Sequence, residues 1–129
     1  MTKRDKKVVY IAHPVRGDVE GNKQKILTIC REIHLNSSNI IPTAPYVTTL
    51  MYLDDNKAKE RRLGMEANRR IFENGGFEEL WLCGPCISDG MKKEVEWCMN
   101  LDIPIYCYNP ELLQIFMNYK LTGKWDDEL

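Results

Sequence analysis

Four short apolar runs alternate with stretches of helical periodicity, and that alternation decides the fold class. Val8-Val9-Tyr10-Ile11-Ala12 is a buried strand ended by His13-Pro14. Ile40 to Tyr46 holds a proline-punctuated strand and the loop after it, and Glu79-Leu80-Trp81-Leu82-Cys83 is a third strand. Ile103-Pro104-Ile105-Tyr106-Cys107-Tyr108 is the fourth. Continuous apolar runs suit strands covered on both faces. Between the first two, Ile26, Ile29, Cys30 and Ile33 recur at three- and four-residue spacing, the stripe of an amphipathic helix over about 20–35. Asp54-Asp55-Asn56 predicts a cap for a charged helix over about 57–73, with Leu63, Ala67 and Ile71 as its apolar line and Asn74-Gly75-Gly76 as its stop. A helix over about 90–100 is predicted to bury Met91, Val95, Cys98 and Met99. Pro110 opens a last helix with Leu112, Leu113, Phe116 and Met117 inward. Strands alternating with helices imply a parallel sheet with right-handed crossovers. The expectation is one doubly wound α/β domain over 1–129, Rossmann- or flavodoxin-like. It has four to five parallel strands with helices on both faces, a basic arm at 1–7 and a polar tail at 121–129.

Composition narrows the partners. The chain has 129 residues, enough for one domain and hardly two. A formal net charge of -1 gives no reason to expect a nucleic-acid polymer or an anionic membrane as partner. The run Lys3-Arg4-Asp5-Lys6-Lys7 reads as a solvated arm, and no apolar stretch approaches the roughly 20 residues of a membrane helix. The first residues lack an apolar signal segment, so secretion is not expected, and the terminal Asp126-Asp127-Glu128-Leu129 is empty as a luminal retention tag. Five cysteines, an odd number, then read as reduced thiols of a cytoplasmic protein.

A parallel sheet gathers the loops at its strand carboxyl ends along one edge, where open α/β sheets bind ligands beside helix amino termini. That edge receives His13, Pro14, Arg16 and Gly17 after the first strand, Tyr46 after the second, and Cys86 and Ser88 after the third. The segment Ser88-Asp89-Gly90-Met91-Lys92-Lys93-Glu94 sets a hydroxyl, a glycine and a glutamate at the start of a helix. Arginine offers a planar fork of donors to phosphate, and glycine lets the backbone approach closely, so Arg16-Gly17 is a candidate anchor beside Ser88 and Gly90. Lys92 and Lys93 fall on the polar face and Met91 and Val95 toward the sheet, leaving Glu94 on the flank nearest the crevice. A phosphate anchor with a carboxylate suggests chemistry at the sugar of a nucleotide.

Cys83-Gly84-Pro85-Cys86 has the thioredoxin spacing. A redox dithiol begins a helix, whose amino terminus lowers the first thiol's pKa. Here Ile87-Ser88-Asp89-Gly90 intervenes, and Pro104 and Pro110 follow too soon to be the usual cis-proline. Cys30, Cys98 and Cys107 sit at core-facing positions, and a single paired motif is short of a structural zinc site, so no metal is expected. His34 reads as a helix-edge residue.

The chain resembles the nucleoside 2-deoxyribosyltransferase-like superfamily over roughly residues 8–108. That superfamily includes the 2'-deoxynucleoside 5'-phosphate N-hydrolases, and the nearest likeness is to its small phage and bacterial members. Tyr10-Ile11-Ala12-His13-Pro14 is similar to the family's opening strand, and Val15-Arg16-Gly17 to the hydrolases' phosphate-binding turn. Ser88 to Glu94 fits the signature Ser/Asp-x-Gly-x-x-x-Glu. The resemblance implies Glu94 as nucleophile at the anomeric carbon, with Tyr10 orienting it and Ser88, Arg16 and Gly17 on a 5'-phosphate. Asn68 or His13 then contacts base or sugar, and Pro14, Tyr46, Gly90 and Met91 complete the substrate site. Two positions depart from the pattern: Asn68 stands where catalytic members carry an aspartate, and His13 where glycine is usual. The implied activity is an N-glycosidase or deoxyribosyltransferase acting on (deoxy)nucleoside 5'-monophosphates, without cofactor, in a homo-oligomer whose Trp125-bearing tail closes a neighbour's pocket. The alternatives are a non-catalytic nucleotide-binding or sequestering protein and, behind it, a dithiol oxidoreductase.

Overall fold

Strand β1 (Lys7–Ala12) is the hub of a four-stranded sheet in the order β2–β1–β3–β4, seen in a computed structural model that describes residues 6–128. Strands β2 (Ile40–Thr43), β3 (Glu79–Leu82) and β4 (Ile105–Cys107) complete it, and every pairing is parallel. Val9 stands opposite Pro42 on one side and Glu79 on the other. Pro42 cannot donate to a ladder and is tolerated because β2 is an edge strand. The central strands carry the core, with Val9, Tyr10, Ile11, Ala12, Leu80 and Leu82 fully buried.

The helices are α1 (Val19–Asn36), α2 (Pro45–Leu50), α3 (Ala58–Asn74), α4 (Asp89–Asn100) and α5 (Leu113–Thr122), with single 3₁₀ turns at Pro110–Leu112 and Asp126–Glu128. Side chains alternate along β1, so Tyr10 and Ala12 join one layer and Val9 and Ile11 the other. The larger layer adds Phe72, Met91, Val95, Cys98, Leu112, Phe116 and Trp125. The smaller layer takes its helical members, Ile33 and the half-buried Ile29 and Cys30, from α1. The doubly wound architecture is therefore as expected, but its two faces are covered unequally. The chain leaves β1 toward β2 and returns across to β3, so the topological switch point lies at the carboxyl ends of β1 and β3.

Several local expectations are corrected. The loop after β2 contains α2, started by Pro45 in its first turn, where a missing N–H costs nothing. Lys57 is the N-cap of helix α3, without a side-chain cap bond. Asp54 instead accepts from the Asn56 amide at 3.0 Å, an Asx turn before the helix. Leu63 is 47% exposed because the inward stripe of α3 runs through Gly64, Met65, Asn68 and Phe72. Met99 is exposed on α4, and Leu113 and Met117 on α5, which docks through Phe116 together with Leu112 of the preceding 3₁₀ turn. Gly75 ends α3 in the left-handed conformation, φ 71°, as its glycine predicts.

Both termini depart from simple tails. Residues 1–5 of the basic arm lie outside the described residues, but Lys7 belongs to β1 and pairs with Glu79 at 2.8 Å. Positions 121–122 finish α5, and Trp125 is 3% exposed, stacked on Tyr119 with ring centroids 3.9 Å apart. Lys92 of α4 reaches Asp127 at 2.6 Å and lies 6.0 Å from the Trp125 ring. That ring is committed to its own chain, so it does not serve as a lid for a neighbour. Among the described residues no helix is long and apolar enough to cross a membrane. Trp125→Ala is expected to lower unfolding stability in urea by about 3 kcal/mol, the usual cost of deleting a buried tryptophan.

Candidate active site

The site is assembled where the loops after β1 and β3 touch. Gly84 has φ 96°, and a Cβ there would stand 2.9 Å from Pro14 Cδ and 3.0 Å from His13 Cδ2 and Nε2. Only glycine permits both the left-handed backbone and that approach. The Gly84 amide donates to Asn109 Oδ1 at 2.7 Å, which ties in the loop after β4. Within the paired-cysteine motif, then, the glycine is a packing requirement. Cys83 is fully buried and its thiol is pushed up to about 12 by burial, then by the nearby Cys30 and Cys107. Cys86 is exposed, and α4 begins only at Asp89. A thiol held protonated and away from a helix terminus is a poor redox nucleophile.

Ser88 caps α4, its Oγ accepting from the Met91 amide at 3.3 Å, and its own hydroxyl proton stays available to a ligand. One and a half turns on, Glu94 lies between Met91, Val95 and Cys98 on the buried side of the helix, with only 7% of its surface exposed. Three elements converge on it. The Tyr10 hydroxyl, from β1, stands 2.5 Å from Glu94 Oε2 and 2.9 Å from Asn68 Oδ1. Asn68 Nδ2, from α3, donates to Glu94 Oε2 at 3.0 Å. Tyr10 is itself clamped by Phe72 and Phe77, with centroids at 4.6 and 5.0 Å.

These three contacts need three protons. The tyrosine supplies one and the amide one, so the third sits on Glu94. Turning the amide over reverses the sense of the ring and leaves the count unchanged. An ionised Glu94 would set two oxygen lone pairs against each other on one edge. Burial acts in the same direction, pushing the Glu94 carboxyl up from 4.5 to about 7 against the hydrogen bonds of Tyr10 and Asn68. Burial, then the charge of Glu94, raises the Tyr10 and Tyr46 phenols well above their usual range. The Tyr46 hydroxyl donates to the Ile11 carbonyl at 2.6 Å. His13 Nδ1 lies 2.7 Å from the Pro14 carbonyl, which can only accept, so the ring is protonated there and Nε2 carries a lone pair. Burial lowers the His13 pKa, which keeps that ring neutral.

Above Glu94 opens a cavity of about 340 Å³, within the range of small-molecule sites. Of the residues singled out from sequence, Glu94, Asn68, His13, Pro14, Arg16, Tyr46, Ser88, Gly90 and Met91 line it. Tyr10 reaches it from below through its hydroxyl contacts. Gly17 does not line it. With φ 93° it forms the turn into α1, and the following Asp18 carboxylate caps that helix by accepting from the Gly21 amide at 3.0 Å. The α1 amino terminus is thus occupied by the chain's own acid.

The wall contributed by α2 and α3 was not legible beforehand. Thr49, Leu50, Leu53, Asp55, Arg61 and Met65 line it. Arg61 Nη1 lies 3.8 Å from Asp55 Oδ2, within ion-pair range but too far for a hydrogen bond. That nitrogen is buried without any hydrogen-bond partner, which costs about 1–3 kcal/mol. The available signal was the spacing of Arg61, Met65 and Asn68, which share one helix face. Among the described residues no group of three or more His, Cys, Asp or Glu side chains could hold a metal ion.

Fold and site together define a doubly wound α/β protein with a buried acid at the bottom of its switch-point crevice. The chain belongs to the family described as Domain of unknown function (DUF7768), which matches residues 7–108, from the start of β1 to just past β4. No curated protein and no solved structure matches the chain.

Glu94 gives a stability test with a definite sign. Its folded pKa of about 7 lies above the 4.5 of a free glutamate, so the folded state holds the proton more tightly. The resulting stabilisation is present below about pH 4.5 and is lost as pH rises through 7, by roughly 3 kcal/mol in all. Glu94→Gln keeps the shape and abolishes the titration. Urea unfolding should therefore show this variant gaining on the wild type between pH 5 and pH 8.

Proposed function

We propose that the cavity binds a (deoxy)nucleoside 5'-monophosphate and that Glu94 acts at its anomeric carbon, as an N-glycosidase or a deoxyribosyltransferase. The observation that carries this reading is the buried carboxyl of Glu94 beneath a cavity whose rim holds Ser88, Gly90 and Arg16. A helix amino terminus, a hydroxyl and a guanidinium suit a phosphate dianion. Ser88 precedes Glu94 by six residues, a rise of roughly 9 Å along α4, which leaves space for a sugar between anchor and acid.

In this mechanism the ionised Glu94 attacks the anomeric carbon as the base departs, and water or a second base resolves the glycosyl-enzyme. Tyr10 and Asn68 hold the carboxyl in place. Only the ionised acid is a nucleophile, so kcat/KM should rise with pH through about 7. Asn68 cannot donate a proton as an aspartic acid would, and this favours a second reading, a nucleotide binder without turnover. On either reading the protein works on cytoplasmic nucleotides as a homo-oligomer, with subunit contacts made elsewhere than Trp125.

Incubation with deoxynucleoside monophosphates and chromatography for free base separates the two. Release by the wild type, lowered by about a hundredfold or more in Glu94→Ala, is expected of the glycosidase. Equal release by both proteins removes Glu94 from its role. Thermal stabilisation by nucleotides with no product identifies the binder.

A further inference from the structure

We infer that Arg61, with Asp55 beside it, reads the base of the ligand and selects bases that present a carbonyl oxygen next to a ring N–H. This rests on the nucleotide reading of the cavity and adds to it the class of base.

The cavity is divided by chemistry. One side, made by the loop after β1 and the start of α4, presents Arg16, Ser88 and Gly90. The other, made by α2, α3 and the segment between them, sets Leu50, Leu53 and Met65 beside Asp55 and Arg61, apolar surface on which a flat ring can be buried. Such a surface gains by burying a base and has nothing to offer a phosphate beyond its one cation. Within it Arg61 and Asp55 stand as a donor and an acceptor of opposite charge, whereas the other polar groups of that wall are engaged: the Thr49 hydroxyl donates to the Tyr46 carbonyl and Glu60 accepts from the Asp54 amide. Arg61 Nη1 is buried without a hydrogen-bond partner, and its ion-pair partner, Asp55 Oδ2, is 3.8 Å away. Both groups therefore keep hydrogen-bonding capacity that an inserted ligand can use.

The pairing that fills both is a lactam edge. A carbonyl oxygen accepts from the guanidinium while the adjacent ring N–H donates to the Asp55 carboxylate. Guanine, hypoxanthine, thymine and uracil present that edge. Adenine places an amino donor where the carbonyl would be, opposite a guanidinium that can only donate. The position of Arg61 fits this role. It precedes Asn68 by seven residues, two turns along α3 and roughly 10 Å from the acid at the floor, so a base there clears the sugar. Gly64, on the same face, lines the cavity without a side chain; a Cβ there would fill part of that space in ordinary contact, 3.8 Å from Leu53 Cδ1 and Thr49 Oγ1.

The test is calorimetric titration of the full chain, its Arg61→Met variant and its Arg61→Lys variant. The titrants are the 5'-monophosphates of deoxyguanosine, thymidine and deoxyadenosine, and deoxyribose 5-phosphate, which has no base. The wild type should bind the two oxo-nucleotides at least about tenfold more tightly than the adenine nucleotide. Arg61→Met should erase that preference and leave deoxyribose 5-phosphate unaffected, and Arg61→Lys, which keeps the charge and a donor, should retain part of it. Absence of any preference in the wild type overturns the inference. So does an equal loss for all four ligands in Arg61→Met, since it would place the phosphate at Arg61. An Arg61-dependent preference in binding with no free base released supports this inference and sinks the glycosidase. Base release with no preference does the reverse.

Discussion

A carboxyl group withdrawn from water inside an aromatic core is the constraint that orders this molecule. Glu94 lies on the buried stripe of α4, where an isoleucine or leucine would ordinarily sit. Isolated there as an ion, it would cost far more than a small domain can spare. Its oxygen is instead enclosed by Tyr10 and Asn68, at 2.5 and 3.0 Å. Those partners come from the central strand and from α3, so one hydrogen-bonded ring fixes the relative placement of three elements. Phe72 and Phe77 immobilise the Tyr10 ring, and Phe72 also meets Trp97 of α4 edge-on at 5.2 Å. The polar ring and the aromatic cluster are therefore one packing unit. A network of this kind is favourable only when every member is satisfied, and this one closes with the acid protonated.

The opposite side of the crevice is shaped by backbone contact. Gly84 lets the loop after β3 press onto His13 and Pro14, and the Asn109 side chain anchors its amide from the loop after β4. Three strand ends are thereby joined at the switch point through backbone packing and one side-chain hydrogen bond. His13 is fixed by this contact. Its ring is buried, bonded to the Pro14 carbonyl and packed on Gly84, and its Nε2 remains as an acceptor.

Much of this was legible in the residues. Apolar runs as continuous as Val8 to Ala12 announce interior parallel strands, and the spacing of Ser88, Gly90 and Glu94 places a hydroxyl, a glycine and an acid on one helix start, where the hydroxyl proves also to cap the helix. What escaped notice followed from ambiguous periodicity. Of the apolar line Leu63, Ala67 and Ile71, Ile71 packs on the core and Ala67 is half-buried, but Leu63 is exposed, because the buried face is centred one residue further on, with Asn68 held by the ring and Phe72 by the core. A stripe containing Arg61 and Asn68 reads as solvent-facing until a cavity is known to lie beside it. Helix α2 is six residues long, too short for a periodic signal, so the wall it supplies went unseen. Gly17 was credible as a phosphate contact from composition alone, but Asp18 next to it already fills the helix end.

The clasp between the carboxyl-terminal segment and α4 has a consequence for where this domain ends. The family match stops at residue 108, with the sheet complete. Leu112, Phe116 and Trp125 nevertheless belong to the same buried cluster as Leu80, Leu82 and Met91. A polypeptide cut at the family boundary would keep every strand and every cavity residue while baring a hydrophobic surface along the helix that carries the acid. The packed core thus extends beyond the shared family segment, and Leu112, Phe116 and Trp125 clad the helix that carries Glu94.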